Sequence, residues 1–166
     1  MSEYALDEIL SRSGVESRRA AREDLEFAFG ALREAMRDSV AATWGSWDDD
    51  HQRALFAPSF DLRTHRVLRL EGRDAGILAV EPFVDRLHLA RLFLLPAAQG
   101  RGLGTRILGA LLAASEARGV PVALTVLHTN PRARAFYERL GFRAVGETTT
   151  HVHLESDPDF RARANG

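Results

Sequence analysis

Cysteine and lysine are both absent from this chain of 166 residues, and all 22 of its lysine-or-arginine positions are arginine. Without cysteine there is no disulfide, no thiolate metal site and no cysteine-acylated intermediate, so any acyl group must pass directly to its acceptor. Without lysine there is no ε-amine for Schiff-base chemistry or self-acetylation, which leaves the α-amino group as the internal amine acceptor. Net charge is also nearly missing. A formal value of −1 offers polyanions no general attraction and argues against a nucleic-acid partner. Long hydrophobic runs are lacking too. Met1 to Ser13 carries Glu3, Asp7 and Glu8 and fails as a signal peptide, and no later stretch reaches membrane-spanning length. These absences predict a cytoplasmic protein without membrane association.

What is present suits one domain with a core, since 45% of the residues are hydrophobic. The expected division is an N-terminal extension over 1–13 with an amphipathic Leu6, Ile9, Leu10 pattern, a folded domain over 14–155, and a polar tail over 156–166. Val15 to Ala20 reads as a first strand. Leu25, Phe29, Leu32 and Met36 recur at helical spacing and predict a helix over Asp24 to Arg37, interrupted by Thr43 to Trp47. Asp48 to Phe56 predicts a second helix with acids in its first turn. Val67 to Leu70 and Ala75 to Val80 flank Glu71-Gly72-Arg73-Asp74 as a hairpin, and Arg86 to Leu95 supplies the next strand. A helix over Gly102 to Arg118, a strand over Val122 to Leu127, a helix over Pro131 to Leu140 and strands near Phe142 to Val145 and Thr149 to Leu154 complete the order. That order predicts an α/β fold with a mixed, mainly antiparallel central sheet, helices on both faces and one β-α-β crossover.

Gln99-Gly100-Arg101-Gly102-Leu103-Gly104-Thr105 joins the apolar run Leu92 to Leu95 to a helix. A strand feeding a glycine-rich turn into a helix presents bare N–H groups at the positive end of a dipole, a site for phosphate. A P-loop is excluded because its lysine is missing. A dinucleotide fingerprint fits poorly: Thr105 or Ile107 stands where the third small residue belongs, and the strand Val122 to Leu127 has no carboxylate for a ribose.

The pattern Gln99-x-x-Gly102-x-Gly104, with Asn130-Pro131-Arg132-Ala133-Arg134-Ala135-Phe136-Tyr137-Glu138-Arg139-Leu140-Gly141-Phe142 further on, closely resembles the GNAT family of acetyl-coenzyme A-dependent N-acetyltransferases. The resemblance runs roughly from Arg19 to Leu154 and implies the GNAT fold. It also implies acetyl-coenzyme A as co-substrate, an amine acceptor that is a small molecule, amino acid or peptide, and no metal. By the same resemblance, the amides of Gly100, Arg101, Gly102, Leu103, Gly104 and Thr105 hold the pyrophosphate, with Arg101 adding charge. The strand residues Phe93, Leu94 and Leu95 pair with the pantetheine arm, Asn130 bonds to that arm, and Tyr137 lies beside the thioester sulfur. Met36, Trp44, Trp47 and His151 fall where the acceptor would be walled in. A homodimer is compatible with the sequence, which leaves oligomeric state open.

The residues leave several roles open. Asn130 is a good helix N-cap in its own right, before Pro131 in the first turn. Tyr137 shares a helical face with Ala133, Phe136 and Leu140, so it is either a core tyrosine or the acid that protonates a departing thiolate, at an ordinary pKa near 10. His88 stands eleven positions before Gln99, where histone-acetylating relatives carry a glutamate. As a base it competes with Glu81, and on a regular strand Arg86, His88 and Ala90 would share one face. His151 and His153 share a face with Thr149 without a third ligand for a metal. A noncatalytic acyl-coenzyme A-binding or sensing module is the alternative to an enzyme, since it would keep the phosphate turn and need neither acid nor base.

Overall fold

The computed structural model describes residues 3–157, so the expected tail from 158 onward lies outside the described residues. The helices are α1 (Glu3–Arg12), α2 (Leu25–Trp44), α3 (Asp49–Phe56), α4 (Leu103–Arg118) and α5 (Pro131–Arg139). The strands are β1 (Ser17–Arg19), β2 (His65–Leu70), β3 (Arg73–Pro82), β4 (Leu87–Leu94), β5 (Val122–Leu127), β6 (Phe142–Glu147) and β7 (His151–Ser156). They form one sheet in the order β1-β2-β3-β4-β5-β7-β6. Neighbours are antiparallel except β4 and β5, which α4 joins as the expected β-α-β crossover.

Strand alternation sends side chains to two cores. Leu68, Leu78, Leu124 and Leu154 meet α1, α4 and α5 through Leu10, Ile107, Leu111 and Tyr137 on one face. Val67, Ile77 and Phe93 meet Phe29 of α2 and Phe56 of α3 on the other. In β4, Leu87, Leu89, Leu92 and Leu94 all belong to the first face, although Leu89 and Leu92 are an odd number of residues apart. A β-bulge resolves this: the register steps from Ala79↔Arg91 to Val80↔Leu89 and leaves Ala90 as the extra residue. Ala90 lines the same cleft as His88, and the slip after it brings Arg91 onto that face too, where a regular strand would have sent Arg91 to the face of Leu87 and Leu89.

Beyond that bulge β4 and β5 separate. They pair only at Leu87↔Val122 and His88↔Ala123, so the β5-facing edge of β4 is open from Leu89 onward. Both clefts described below sit at this opening.

Several boundaries differ from the sequence expectation for physical reasons. The first long helix continues past Arg37 to Trp44, because Val40 is buried and the loop after β5 braces its last turns. Thr129 Oγ1 donates to Ser39 O at 2.8 Å, and Thr43 Oγ1 donates to the same carbonyl at 2.7 Å. The break falls at Gly45, not across Thr43 to Trp47, and its N–H closes the helix on Ala41 O at 2.8 Å. The regular first strand is shorter than Val15 to Ala20: Val15 is buried with its N–H on Leu10 O at 2.9 Å, and Ala20, also buried, keeps a single hydrogen bond from its N–H to His65 O at 3.2 Å. Leu6 and Leu10 of α1 sit in the same core as α4, and the buried Arg66 of β2 is ion-paired with Asp7. At the other end Ser156 belongs to β7, not to a polar tail, and its Oγ accepts from the Val122 N–H at 2.8 Å. Among the described residues no helix is long and apolar enough to cross a membrane.

Candidate active site

The turn before α4 is shaped by glycine. Gly102 is the N-cap in left-handed conformation at φ 77°, a backbone that L side chains rarely adopt. Gly104 allows a close approach of α5: a Cβ there would stand 3.3 Å from Phe136 Cζ, tight enough that the ring would have to give by a few tenths of an ångström. The first bond back into the turn runs from the Arg106 N–H to Gly102 O at 3.0 Å. The N–H groups of residues 100–105 have no acceptor among the described residues, as the start of a helix leaves them.

These amides open on a cleft of about 530 Å³ lined by Gln99, Gly100, Gly102, Leu103, Gly104 and Thr105, with Leu92 and Leu94 of β4 and Asn130, Phe136 and Tyr137 of α5 and its cap. Its shape and unpaired donors fit a phosphate-bearing ligand with an extended arm. Arg101 departs from its expected part. The Arg101 guanidinium lies outside the cleft and donates to Glu71 at the β2–β3 turn, 2.7 Å away. The cations lining the cleft are Arg132 and Arg139 of α5, seven positions and about two helical turns apart. That spacing was the signal available for them in the sequence. Gln99 turns its side chain inward, where Nε2 donates to Leu94 O at 2.9 Å and braces the turn.

The strand edge also divides differently from expectation. The Leu95 N–H donates to Ala75 O at 2.8 Å, and the alternation of an antiparallel ladder turns the main chain of Phe93 the same way, toward β3. Leu92 and Leu94 therefore face the open edge. Of Phe93, Leu94 and Leu95, only Leu94 has its main chain there, and Leu92 joins it, a residue that apolar patterning could not single out.

Asn130 caps α5: its Oδ1 accepts from the Ala133 N–H at 3.2 Å, while the residue also lines the cleft. Tyr137 is 9% exposed and stacks edge-on with Phe136 and Phe142. Burial alone pushes its phenol up to about 12.

A second cleft of about 520 Å³ lies on the α2 side of the same opening, lined among others by Met36, Ser59, Glu81, His88, Arg91, Leu92, Thr125, Asn130, Tyr137 and His151. Leu92, Asn130 and Tyr137 border both clefts. His88 and Glu81 are cross-strand partners, with Nδ1 and Oε1 3.4 Å apart. Of the expected acceptor residues, Met36 and His151 line this cleft. Trp44 stays at its margin, 56% exposed, with its ring 6.3 Å from that of His151. Trp47 is turned away: it packs against Phe29, and its indole N–H donates to Asp49 at 2.6 Å. Among the described residues no cluster of histidine and carboxylate side chains could hold a metal ion.

Fold and clefts together define an α/β domain with an open strand edge between a glycine-rich turn and a second pocket. The chain belongs to the acetyltransferase (GNAT) family, whose model matches residues 29–142. Solved structures agree in fold. The PaiA N-acetyltransferase of Thermoplasma acidophilum, solved in complex with coenzyme A, is 18% identical with a TM-score of 0.65, over 86% of this chain and 98% of that one. The ribosomal-protein-S18-alanine N-acetyltransferase of Escherichia coli is 22% identical at a TM-score of 0.60, over 86% and 92% of the two chains. An N-acetyltransferase of Staphylococcus aureus Mu50 is 17% identical at 0.65, over 84% and 99%.

Proposed function

We propose that the protein transfers the acetyl group of acetyl-coenzyme A directly to the nitrogen of an amine. The observation that carries this reading is the junction of the two clefts at Tyr137, beside the open edge of β4. Acetyl-coenzyme A supplies the activated acetyl group as a thioester. The amides of residues 100–105 hold its pyrophosphate, with Arg132 and Arg139 adding positive charge from α5. Leu92 and Leu94 offer main-chain groups to the pantetheine amides in the manner of an added strand, and the Leu92 N–H is placed to polarise the reacting carbonyl.

Tyr137 stays protonated across the physiological range and donates toward the departing sulfur. With its phenol at about 12, and an exposed thiol at about 8.5 by analogy with cysteine, complete proton transfer would be uphill by roughly 5 kcal/mol. The raised value makes a solvated thiolate a poor proton acceptor. A sulfur buried against the same apolar wall is a better one, because burial raises a thiol as well. On the acceptor side, His88 and Glu81 are the groups that can take the amine's proton, directly or through water.

A panel of primary amines, amino acids and peptides, assayed for free coenzyme A release, tests the reading. Turnover on one acceptor class supports it. Acetyl-coenzyme A binding with no release on any amine overturns it in favour of a sensing module. With a substrate in hand, kcat/KM against pH for His88→Ala and Glu81→Gln identifies the base by which variant loses the ascending limb, and retention of that limb in both removes both.

A further inference from the structure

The acceptor cleft contains a cation that the transfer chemistry does not use. Arg91 lies in β4 one residue after the bulge, in a row with Ala79 of β3 and His65 of β2, and its side chain lines the cleft. Its held geometry comes from neutral groups. Nη2 donates to Ser59 Oγ at 2.7 Å, Nη1 lies 3.5 Å from His65 Nε2, and the guanidinium carbon sits 4.9 Å from the centre of the Phe56 ring. His65 Nδ1 is 2.8 Å from Asp61 O, a pure acceptor, which fixes the proton on Nδ1 and leaves Nε2 as a lone pair turned to Arg91. No carboxylate is ion-paired with Arg91 among the described residues, and Glu81 acts on it only at longer range. Burial accordingly pushes its pKa below the ordinary value.

Other arginines held in this fold are matched differently. Buried Arg66 has Asp7, and half-buried Arg18 has both Asp24 and Asp74. A desolvated guanidinium without a carboxylate is destabilising on its own and is a strong, directional receptor for an anion, because its fork matches two carboxylate oxygens. Here it opens on the cleft that also holds Glu81 and His88, on the same face of the sheet. Their row and the Arg91 row are two positions apart along β3, Ala79 to Glu81, a separation of roughly 7 Å. With a cation from one row and the Glu81–His88 pair from the next opening on one cleft, the complementary ligand is a small molecule with a carboxylate at one end and an amine at the other.

Resting on the acetyl-transfer reading above, we infer that the acceptor is an amine bearing a free carboxylate, an amino acid in the simplest case, and that Arg91 receives the carboxylate while Ser59 and His65 hold the guanidinium in place. Arg91 is then a specificity-determining residue, and Ser59 and His65 are positioning residues.

The test compares L-amino acids with their own carboxamides and decarboxylated amines, by coenzyme A release from the full chain. The wild type is expected to favour the acids in kcat/KM by about 10- to 100-fold, the effect of one charge-assisted, bidentate contact. In Arg91→Gln the ratio should fall close to one, and in Ser59→Ala it should fall part of the way. Equal use of acids and carboxamides by the wild type overturns the inference without needing any variant to fold. A ratio that persists in a folded Arg91→Gln overturns the role of Arg91. If no amine is turned over, the transfer reading fails separately, and calorimetry with an N-acetyl amino acid and its carboxamide still decides the site. Preference for the acid, lost in Arg91→Gln, supports it; equal binding, or none, overturns it.

Discussion

The cleft at the glycine turn, proposed for the donor, presents main chain, whereas the cleft on the α2 side, proposed for the acceptor, presents side chains. In the first, unpaired amides of residues 100–105 stand at the head of α4, and beside them runs the edge of β4 that β5 leaves open, with Leu94 O engaged by Gln99. In the second, Glu81, His88 and Arg91 project from two neighbouring strands. Main-chain recognition constrains where glycine must stand, so it leaves a spacing in the sequence. Side-chain recognition assembled across strands leaves none. Two sites a few residues apart in space can therefore differ completely in how far the sequence discloses them.

The clefts meet at Tyr137, so the sharpest break of the comparison is to remove its hydroxyl. Tyr137→Phe is expected to lower kcat by about 10²-fold or more while coenzyme A affinity holds, as for loss of a general acid. The parallel measurement is coenzyme A binding by calorimetry. Unchanged kcat would take Tyr137 out of the chemistry and leave it as a core aromatic. The donor side alone is broken by Gly102→Val, which puts a β-branched residue at φ 77°. Strain of about 1–2 kcal/mol in the left-handed region predicts roughly tenfold weaker coenzyme A binding, with kcat at saturating donor little altered. Undiminished binding would show that the turn does not hold the donor.

How much of this was legible follows the same division. Gly102 and Gly104 could be read because each answers a backbone demand, a left-handed cap and a close helix contact. The crossover followed from element order, since β4 and β5 are the parallel neighbours and α4 joins them, whereas the insertion of β7 between β5 and β6 was not read from the sequence. The bulge at Ala90 went unread although the three-residue gap from Leu89 to Leu92 breaks the leucine alternation, because a break in apolar pattern reads equally as a change of buried face until the pairing with β3 is known. Arg91 was invisible as a site residue for that reason, and Trp47 was overvalued because aromatic character says nothing about which way a ring turns. The helix end at Trp44 was set by contacts with Thr129, 90 residues away from Ser39, beyond any local signal.

Asn130 borders both clefts and also caps α5, so its substitution separates structure from binding. Loss of the bond from the Ala133 N–H in Asn130→Ala should lower stability by about 1 kcal/mol, a Tm decrease of roughly 2–4 °C for a domain of this size. Thermal unfolding with and without coenzyme A measures both parts. If the decrease is the same in each, Asn130 is a cap; a larger decrease in the presence of ligand adds a contact with the donor arm.

The smallest expected effect belongs to the acceptor side alone and comes from His65, which is 1% exposed. Desolvation holds its pKa below the ordinary 6.5, against the opposing effect of Asp61 O, and the charge of Arg91 lowers it further. A folded pKa below the unfolded one means that the unfolded chain binds the proton first. Stability is therefore undiminished above about pH 7 and falls as the pH drops through 6.5 toward the folded value, with a slope of at most about 1.4 kcal/mol per pH unit. His151 is shifted in the same direction, but its greater exposure to water weakens its share. Within that window the folded imidazole stays neutral beside Arg91, and only below its own lowered pKa would a second positive charge stand there. His65→Gln should flatten the change in Tm between pH 7.5 and 5.5 even if the variant is less stable at both. An unflattened profile would assign the acid sensitivity to other groups and leave Arg91 held by Ser59 alone.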